Sequence, residues 1–212
     1  MKPEEIEAEI EAKKEELRQA KIDEYVNSKF RYVGCDPDTR KAAYAILDTR
    51  GNLVDSWTIN AKSIEHSALV HGTEPTRELE EDAKYILTVE SQQYYAGDDP
   101  RKVKSLLTLG RACGMSMTYL ARMFPQHERM DLLLPRQWTK GRPKHVNQFW
   151  TIKNMGLTPM SNKSYCYAKE LLPKHTAPEQ KHLMDAIAIA NHARLEHQKQ
   201  LKSAAFRRNF KG

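Results

Sequence analysis

Cysteine is scarce in this 212-residue chain, and what little there is stands in an uninformative pattern for metal or disulfide chemistry. Cys35, Cys113 and Cys166 are odd in number, far apart and in no C-x-x-C pair. They exclude a disulfide framework and a zinc ribbon, and they make a reducing, intracellular setting the expectation. Long apolar runs are missing as well: none approaches the roughly 18 residues of a membrane span. The opening stretch "MKPEEIEAEIEAKKEELRQAK" is far too charged for a signal peptide. A soluble protein without a membrane partner is expected. Internal repeats and low-complexity segments are absent too, and 40% hydrophobic composition leaves room for one core of roughly 150 residues plus extensions.

Acidic residues are in short supply only in the last part of the chain. Residues 1–29 carry six Lys and Arg against nine Asp and Glu, residues 30–121 carry 11 against 13, and residues 122–212 carry 17 against six. A cationic surface of this kind suits a polyanion, with nucleic acid ahead of acidic lipid because no amphipathic lipid-binding helix accompanies it.

What is present divides into an arm, a core and a tail. Residues 1–29 alternate Glu and Lys at helical spacing with few apolar residues, which predicts a solvent-exposed helical arm. From Phe30 three β-rich segments follow, "FRYVGCD", "KAAYAILD" and "NLVDSWTIN", separated by turn residues, and they predict an antiparallel meander. "PTRELEEDAKYI" has helical character, "YILTVES" reads as a fourth strand, and the segment from about Pro100 to Met123 as a helix packed on a sheet. "DLLLP" reads as a fifth strand, followed by the basic, Trp-containing turn "RQWTKGRPK" and a helix in "HVNQFWTIKNMG". The clearest helix starts near Pro178 and leads into a basic tail, residues 199–212.

Three acids stand in unusual places. Asp36 ends an apolar strand and is followed by Pro37, which biases it toward extended backbone and starts a turn. Glu90 ends the other segment that is apolar up to its last residue, and Asp185 adjoins "AIAIA" on the last helix, with His182 three positions before it on the same face. Buried carboxylates need a counter-charge, and hard oxygen ligands on separate rigid elements suit Mg²⁺ or Mn²⁺. Taken singly, each acid also has an ordinary structural reading: a turn starter, a strand-end charge, a salt-bridge member.

Taken together, their surroundings resemble a known family. "YVGCDPDTRKAAYAIL" is similar to the opening of the RuvC family of Holliday-junction resolvases, whose first strand ends G-I-D-P-G-S. "ILTVESQQYY" resembles that family's second acidic strand, and "HLMDAIAIANHA" its last motif on the C-terminal helix. The three motifs stand in the family's order over about residues 30–195. The resemblance implies an α/β RNase H-like fold for residues 30–198: a five-stranded mixed sheet with its first three strands antiparallel, flanked by helices. It implies that Asp36, Glu90 and Asp185 hold two Mg²⁺ ions, replaceable by Mn²⁺, and that His182 takes the fourth position of the site, where the family has Asp or His. Lys144 falls where the family has a lysine before a helix, and would contact the scissile phosphate. Tyr94 and Tyr95 lie near the family's stacking aromatic, and Arg136, Lys140, Arg142 and Lys144 would contact the DNA backbone. The chain departs from the family at Asp38, where the family has Gly, at Cys35, where it has Ile, and in its acidic arm.

The activity so implied is Mg²⁺-dependent resolution of Holliday junctions or other branched DNA by two-metal hydrolysis, carried out by a homodimer in the cytoplasm, associated with the nucleoid, or in a host cell's cytoplasm if the chain is phage-encoded. Three rivals remain open from sequence: a nuclease of the same fold acting on flaps or RNA, an actin-like or sugar kinase suggested by the first two strands and "DTRGN", and a non-catalytic DNA-binding module. The kinase needs a duplicated domain and a second phosphate motif, for which 212 residues leave little space.

Overall fold

A computed structural model describes residues 3–69, 80, 82–91, 101–162, 164–170 and 175–209. The elements are α1 (Pro3–Asn27), β1 (Phe30–Asp36), β2 (Lys41–Leu47), β3 (Leu53–Asn60), α2 (Ala61–Leu69), β4 (Lys84–Glu90), α3 (Arg101–Met123), β5 (His127–Leu133), α4 (Pro135–Thr139), α5 (Lys144–Asn154), β6 (Met160–Asn162), β7 (Tyr165–Tyr167) and α6 (Ala177–Asn209). The first five strands form one sheet in the order β3-β2-β1-β4-β5. β2 is antiparallel to both β1 and β3, whereas β4 runs parallel to β1 and β5 parallel to β4. This five-stranded mixed sheet flanked by helices is the RNase H-like arrangement that the motifs imply. β6 and β7 make a separate two-stranded sheet, so the described residues hold no second copy of the large sheet such as a kinase of the actin type requires.

Side-chain alternation explains why the central strands are apolar on both faces. Val33 and Cys35 of β1, Tyr44 and Ile46 of β2, and Leu87 and Val89 of β4 pack with Ile64 of α2 and with Tyr119, Leu120 and Met123 of α3. The interleaved residues Tyr32, Ala43, Ala45, Leu47 and Ile86 pack with Leu183, Ile187 and Ala190 of α6 and with Ile152 of α5. A sheet covered on both sides reads as a continuous hydrophobic run rather than an alternating one.

The same period of two aims the acids. Asp36 shares a face with Tyr32, and Glu90 with Ile86, so both carboxylates emerge on the side covered by α6. β1 and β4 are parallel neighbours with Cys35 opposite Val89, which brings their acidic ends side by side. α6 lies close enough to complete the cluster because Gly34 has no side chain: a Cβ there would stand 2.6 Å from the Ala190 nitrogen and also collide with the Ala186 carbonyl. Glycine at this position is a requirement of helix–sheet contact, since the obstructing atoms are backbone.

α1 is the expected arm. Its Glu and Lys residues form short-range pairs such as Lys13–Glu9 and Arg18–Glu15, and it is tied to the core where the Tyr25 hydroxyl meets that of Tyr32 at 2.7 Å. Five features differ from the sequence expectation. The helical character predicted for residues 75–86 stops short of β4, which starts at Lys84, one residue ahead of the strand read from Tyr85, because Lys84, Tyr85 and Ile86 pair with Phe30, Arg31 and Tyr32; residues 75–79 and 81 of that stretch lie outside the described residues. α2 forms directly after β3, β5 begins at His127 rather than Asp131, and the β6–β7 hairpin adds a short sheet against α5 and α6. α6 continues without interruption past residue 199 to Asn209.

Candidate active site

Asp36, Glu90 and Asp185 come from β1, β4 and α6, and although separated widely in sequence they share one cluster at the carboxyl ends of the two central parallel strands. They are 6%, 2% and 2% exposed, so each carboxylate is almost wholly removed from water. Carboxyl ends of parallel strands are where open α/β sheets place their ligands.

Two nitrogen-bearing side chains stand beside them. Lys144, at the start of α5, puts its Nζ 3.0 Å from Glu90 Oε2 and 3.2 Å from Asp185 Oδ2, and 5.4 Å from the centre of the Trp138 ring. His182, one turn before Asp185 on α6, places Nδ1 2.8 Å from Asp36 Oδ2 and Nε2 3.9 Å from Asp38 Oδ2. The imidazole is thus flanked by a carboxylate on each ring nitrogen. Asp38 has a second task, because its Oδ1 accepts the Arg40 backbone N–H at 2.9 Å and so fastens the turn that follows Pro37.

Two further side chains fix the acids. The Trp138 indole N–H donates to Glu90 Oε1 at 2.9 Å, and the Gln148 amide donates to Asp185 Oδ1 at 2.5 Å while its own carbonyl oxygen accepts the Cys166 N–H at 2.8 Å. Glu90 therefore has one oxygen on an indole and one on an ammonium, and Asp185 one on an amide and one on the same ammonium. Sequence reasoning did not single out Trp138 or Gln148. Gln148 carried a signal, four residues beyond Lys144 and thus on its helical face; Trp138 carried only its place in a polar turn.

The electrostatics are those of a pocket short of positive charge. Burial pushes the Asp36 carboxyl up to about 7, the hydrogen bond from His182 opposes this, and the Asp185 charge adds to the rise. Asp185 is raised for the same first reason, with Lys144 and Gln148 pulling the other way. His182 moves up, chiefly through its bond to Asp36, so the proton between them belongs to the pair. Lys144 loses solvation on burial, yet Asp185, Asp36 and Glu90 together raise it, which keeps it an ammonium.

The donor set is chemically suited to a divalent cation: three carboxylates and an imidazole, mostly hard oxygen, held on rigid elements with too few cations to balance them. Among the described residues, no group of three or more His, Cys, Asp and Glu side chains stands at ligating geometry; Lys144 bridges Glu90 and Asp185, and His182 is bonded to Asp36.

The remaining sequence-derived candidates lie around this cluster. Arg136 on α4 and Lys140 and Arg142 in the α4–α5 turn are exposed and make a basic rim next to Lys144 without touching the acids. The turn is tight, with Lys140 at φ 52° and Gly141 at φ 74°. Tyr94 and Tyr95 lie outside the described residues. Among the described residues no helix is long and apolar enough to cross a membrane.

No family model and no curated protein matches this chain. Among solved structures, it is similar to Thermus thermophilus RuvC in complex with a Holliday junction substrate, at 16% identity over 80% of this chain and 96% of that one, with a TM-score of 0.48. It is also similar to a second structure of Thermus thermophilus RuvC, at 16% identity over the same shares of the two chains, with a TM-score of 0.42.

Proposed function

We propose that the protein is a divalent-metal-dependent endonuclease that cuts branched DNA, with the four-way junction as its leading substrate and a homodimer as its working form. The observation that carries the reading is the convergence of Asp36, Glu90 and Asp185, each nearly fully buried, with Lys144 bridging Glu90 and Asp185, His182 bonded to Asp36, and an exposed basic turn alongside. Buried acids concentrated without matching cations are costly in a merely structural role. The four-way substrate and the dimer, which would put two sites on the two symmetric strands, follow from the motif resemblance.

Asp36, Glu90 and Asp185 would hold two Mg²⁺ or Mn²⁺ ions, with His182 as the fourth donor. When bound, the ions supply an activated water and charge stabilisation at the departing 3′ oxygen, which leaves 5′-phosphate and 3′-hydroxyl ends. Trp138 and Gln148 keep the Glu90 and Asp185 carboxylates turned toward the cluster, as outer hydrogen bonds do for ligands generally. Lys144 has the reach and the charge to leave the acids for a phosphate oxygen, and Arg136, Lys140 and Arg142 bind the flanking phosphates.

The reading is tested by incubating pure protein with four-way, three-way and linear DNA, and with RNA, in Mg²⁺ or Mn²⁺. Cleavage confined to branched DNA and lost in Asp36→Asn with binding retained supports it. Preference for RNA, or cleavage unchanged in Asp36→Asn, overturns it.

A further inference from the structure

The chain has three tryptophans, and two are buried: Trp57 is 8% exposed and Trp138 4%, but Trp150 is 52% exposed. An indole left half in water on a folded surface is a large apolar area that the described chain covers only in part. Its position ties it to the site. On α5, Lys144, Gln148, Thr151 and Ile152 face inward, toward the acids and α6, while Trp150 lies on the ridge of Asn147, three residues apart on the helix surface. The Asn147 amide donates to the Thr139 carbonyl at 3.2 Å, and this bond fastens the top of that ridge to the turn carrying Lys140 and Arg142. Trp150 therefore sits one helical turn below an exposed cationic turn, and six residues, about 9 Å of helix, from Lys144.

The neighbours of Trp150 repeat the combination of aromatic and cation. Phe149 meets it edge to face at 5.7 Å and 90°, and the Lys153 ammonium lies 5.8 Å from the centre of the Phe149 ring. His145 and Lys153 are exposed on the outer side of the same helix. Cationic groups above and beside a flat, wet indole match a ligand that is a polyanion with flat apolar units. A lipid surface would need a broader apolar face than this one indole.

We propose that Trp150 is a stacking platform for an unpaired nucleobase of the DNA strand whose phosphates lie on the Lys140–Arg142 turn. The inference deepens the nuclease reading and takes from it only the ligand class. The base stacked there belongs to a nucleotide near the scissile phosphate, so the platform favours DNA in which pairing is already interrupted, as at a branch point.

The test uses the full chain in EDTA, where binding is read without cleavage, with oligothymidylate and a four-way junction as probes. Both probes are expected to quench tryptophan emission, Trp150→Phe to abolish the quench while keeping near-normal affinity, and Trp150→Ala to raise Kd about 5- to 50-fold. The slope of log K against log salt should stay unchanged in Trp150→Ala, since no phosphate contact is lost, and should fall by about one in Lys140→Ala or Arg142→Ala. The proposal is overturned if the quench survives in Trp150→Phe, if Trp150→Ala binds like the native chain, or if Trp150→Ala changes the sedimentation of the protein and not its DNA affinity, which would make the indole a contact between copies. A quench at Trp150 in a protein that cuts no DNA rejects the nuclease reading and keeps the platform; cleavage without the quench does the reverse.

Discussion

Gly34 of β1 and Ala190 of α6 are in such close approach that a Cβ on Gly34 would stand 2.6 Å from the Ala190 backbone nitrogen. Because Asp36 lies two residues beyond Gly34 on the same face, and Asp185 little more than a turn before Ala190, this contact sets the spacing between the two carboxylates. Gly34→Ala is expected to push α6 off the sheet. It should destabilise the protein by about 1–3 kcal/mol in chemical denaturation and reduce cleavage by more than the loss of folded protein accounts for. Native stability and activity in this variant would remove the link between packing and site.

Lys144 stands between Glu90 and Asp185, and its removal leaves two buried carboxylates facing each other. Lys144→Met is expected to lower the stability of the metal-free protein by on the order of 1–2 kcal/mol, less than for a fully buried pair because the Lys144 side chain is 38% exposed. Added Ca²⁺ or Mg²⁺ should then raise Tm more in Lys144→Met than in the native chain. Calorimetric melting with and without the ion checks both statements, and an ion effect equal in the two proteins contradicts the shared position.

Trp138 acts on Glu90 through one hydrogen bond of 2.9 Å. Trp138→Phe keeps an aromatic ring and removes the N–H, so metal affinity or activity is expected to fall about 10- to 100-fold. DNA affinity measured in EDTA should be preserved. Equal loss in both measurements would point to collapse of the α4–α5 turn in place of lost orientation.

Glu179 secures the start of α6, and with it the position of His182 and Asp185. Its Oε2 accepts the Thr176 backbone N–H at 3.1 Å and the Thr176 hydroxyl at 3.0 Å, and its Oε1 pairs with Lys41 at 2.6 Å. The bond to Lys41, followed by those to Thr176, lowers the carboxyl from 4.5 to about 2. A depressed carboxyl stabilises the fold at pH above its unfolded value and loses that contribution as pH falls toward the folded one. Glu179→Gln should therefore cost about 1 kcal/mol at pH 7, with the difference from the native chain shrinking between roughly pH 4.5 and pH 2. Urea titrations across that range read it directly, and a difference independent of pH would show that charge is not involved.

How much of this could be read from the sequence depended on whether a residue's role was local. The strand-end acids Asp36 and Glu90 announced themselves because each closes an otherwise apolar run, and His182 with Asp185 because they interrupt the apolar face of a long helix. β1, β2, β3 and β4 follow from the same local patterning, within about a residue of where they lie. Trp138 and Gln148 did not, since their partners are 48 and 37 residues away and depend on α4 and α5 folding back over the end of β4. α2 was missed because nine residues with Ser and His among them give weak helical signal, and its burial rests on Ile64 meeting α3 and the sheet. Asp38 looked like a simple break in the motif; in the fold it fastens its own turn and faces the far nitrogen of His182.

The central claim is that Asp36, Glu90 and Asp185 form a metal-dependent cutting site for branched DNA. It is tested most directly by cleavage of a four-way junction, compared with linear duplex of the same sequence, by the native chain and by Asp36→Asn, with Mg²⁺ present and with EDTA. The account predicts nicks in the junction alone, only with the metal, and none from Asp36→Asn although that variant still binds the junction. Cleavage by Asp36→Asn at the native rate, or native cleavage that persists in EDTA, would contradict it.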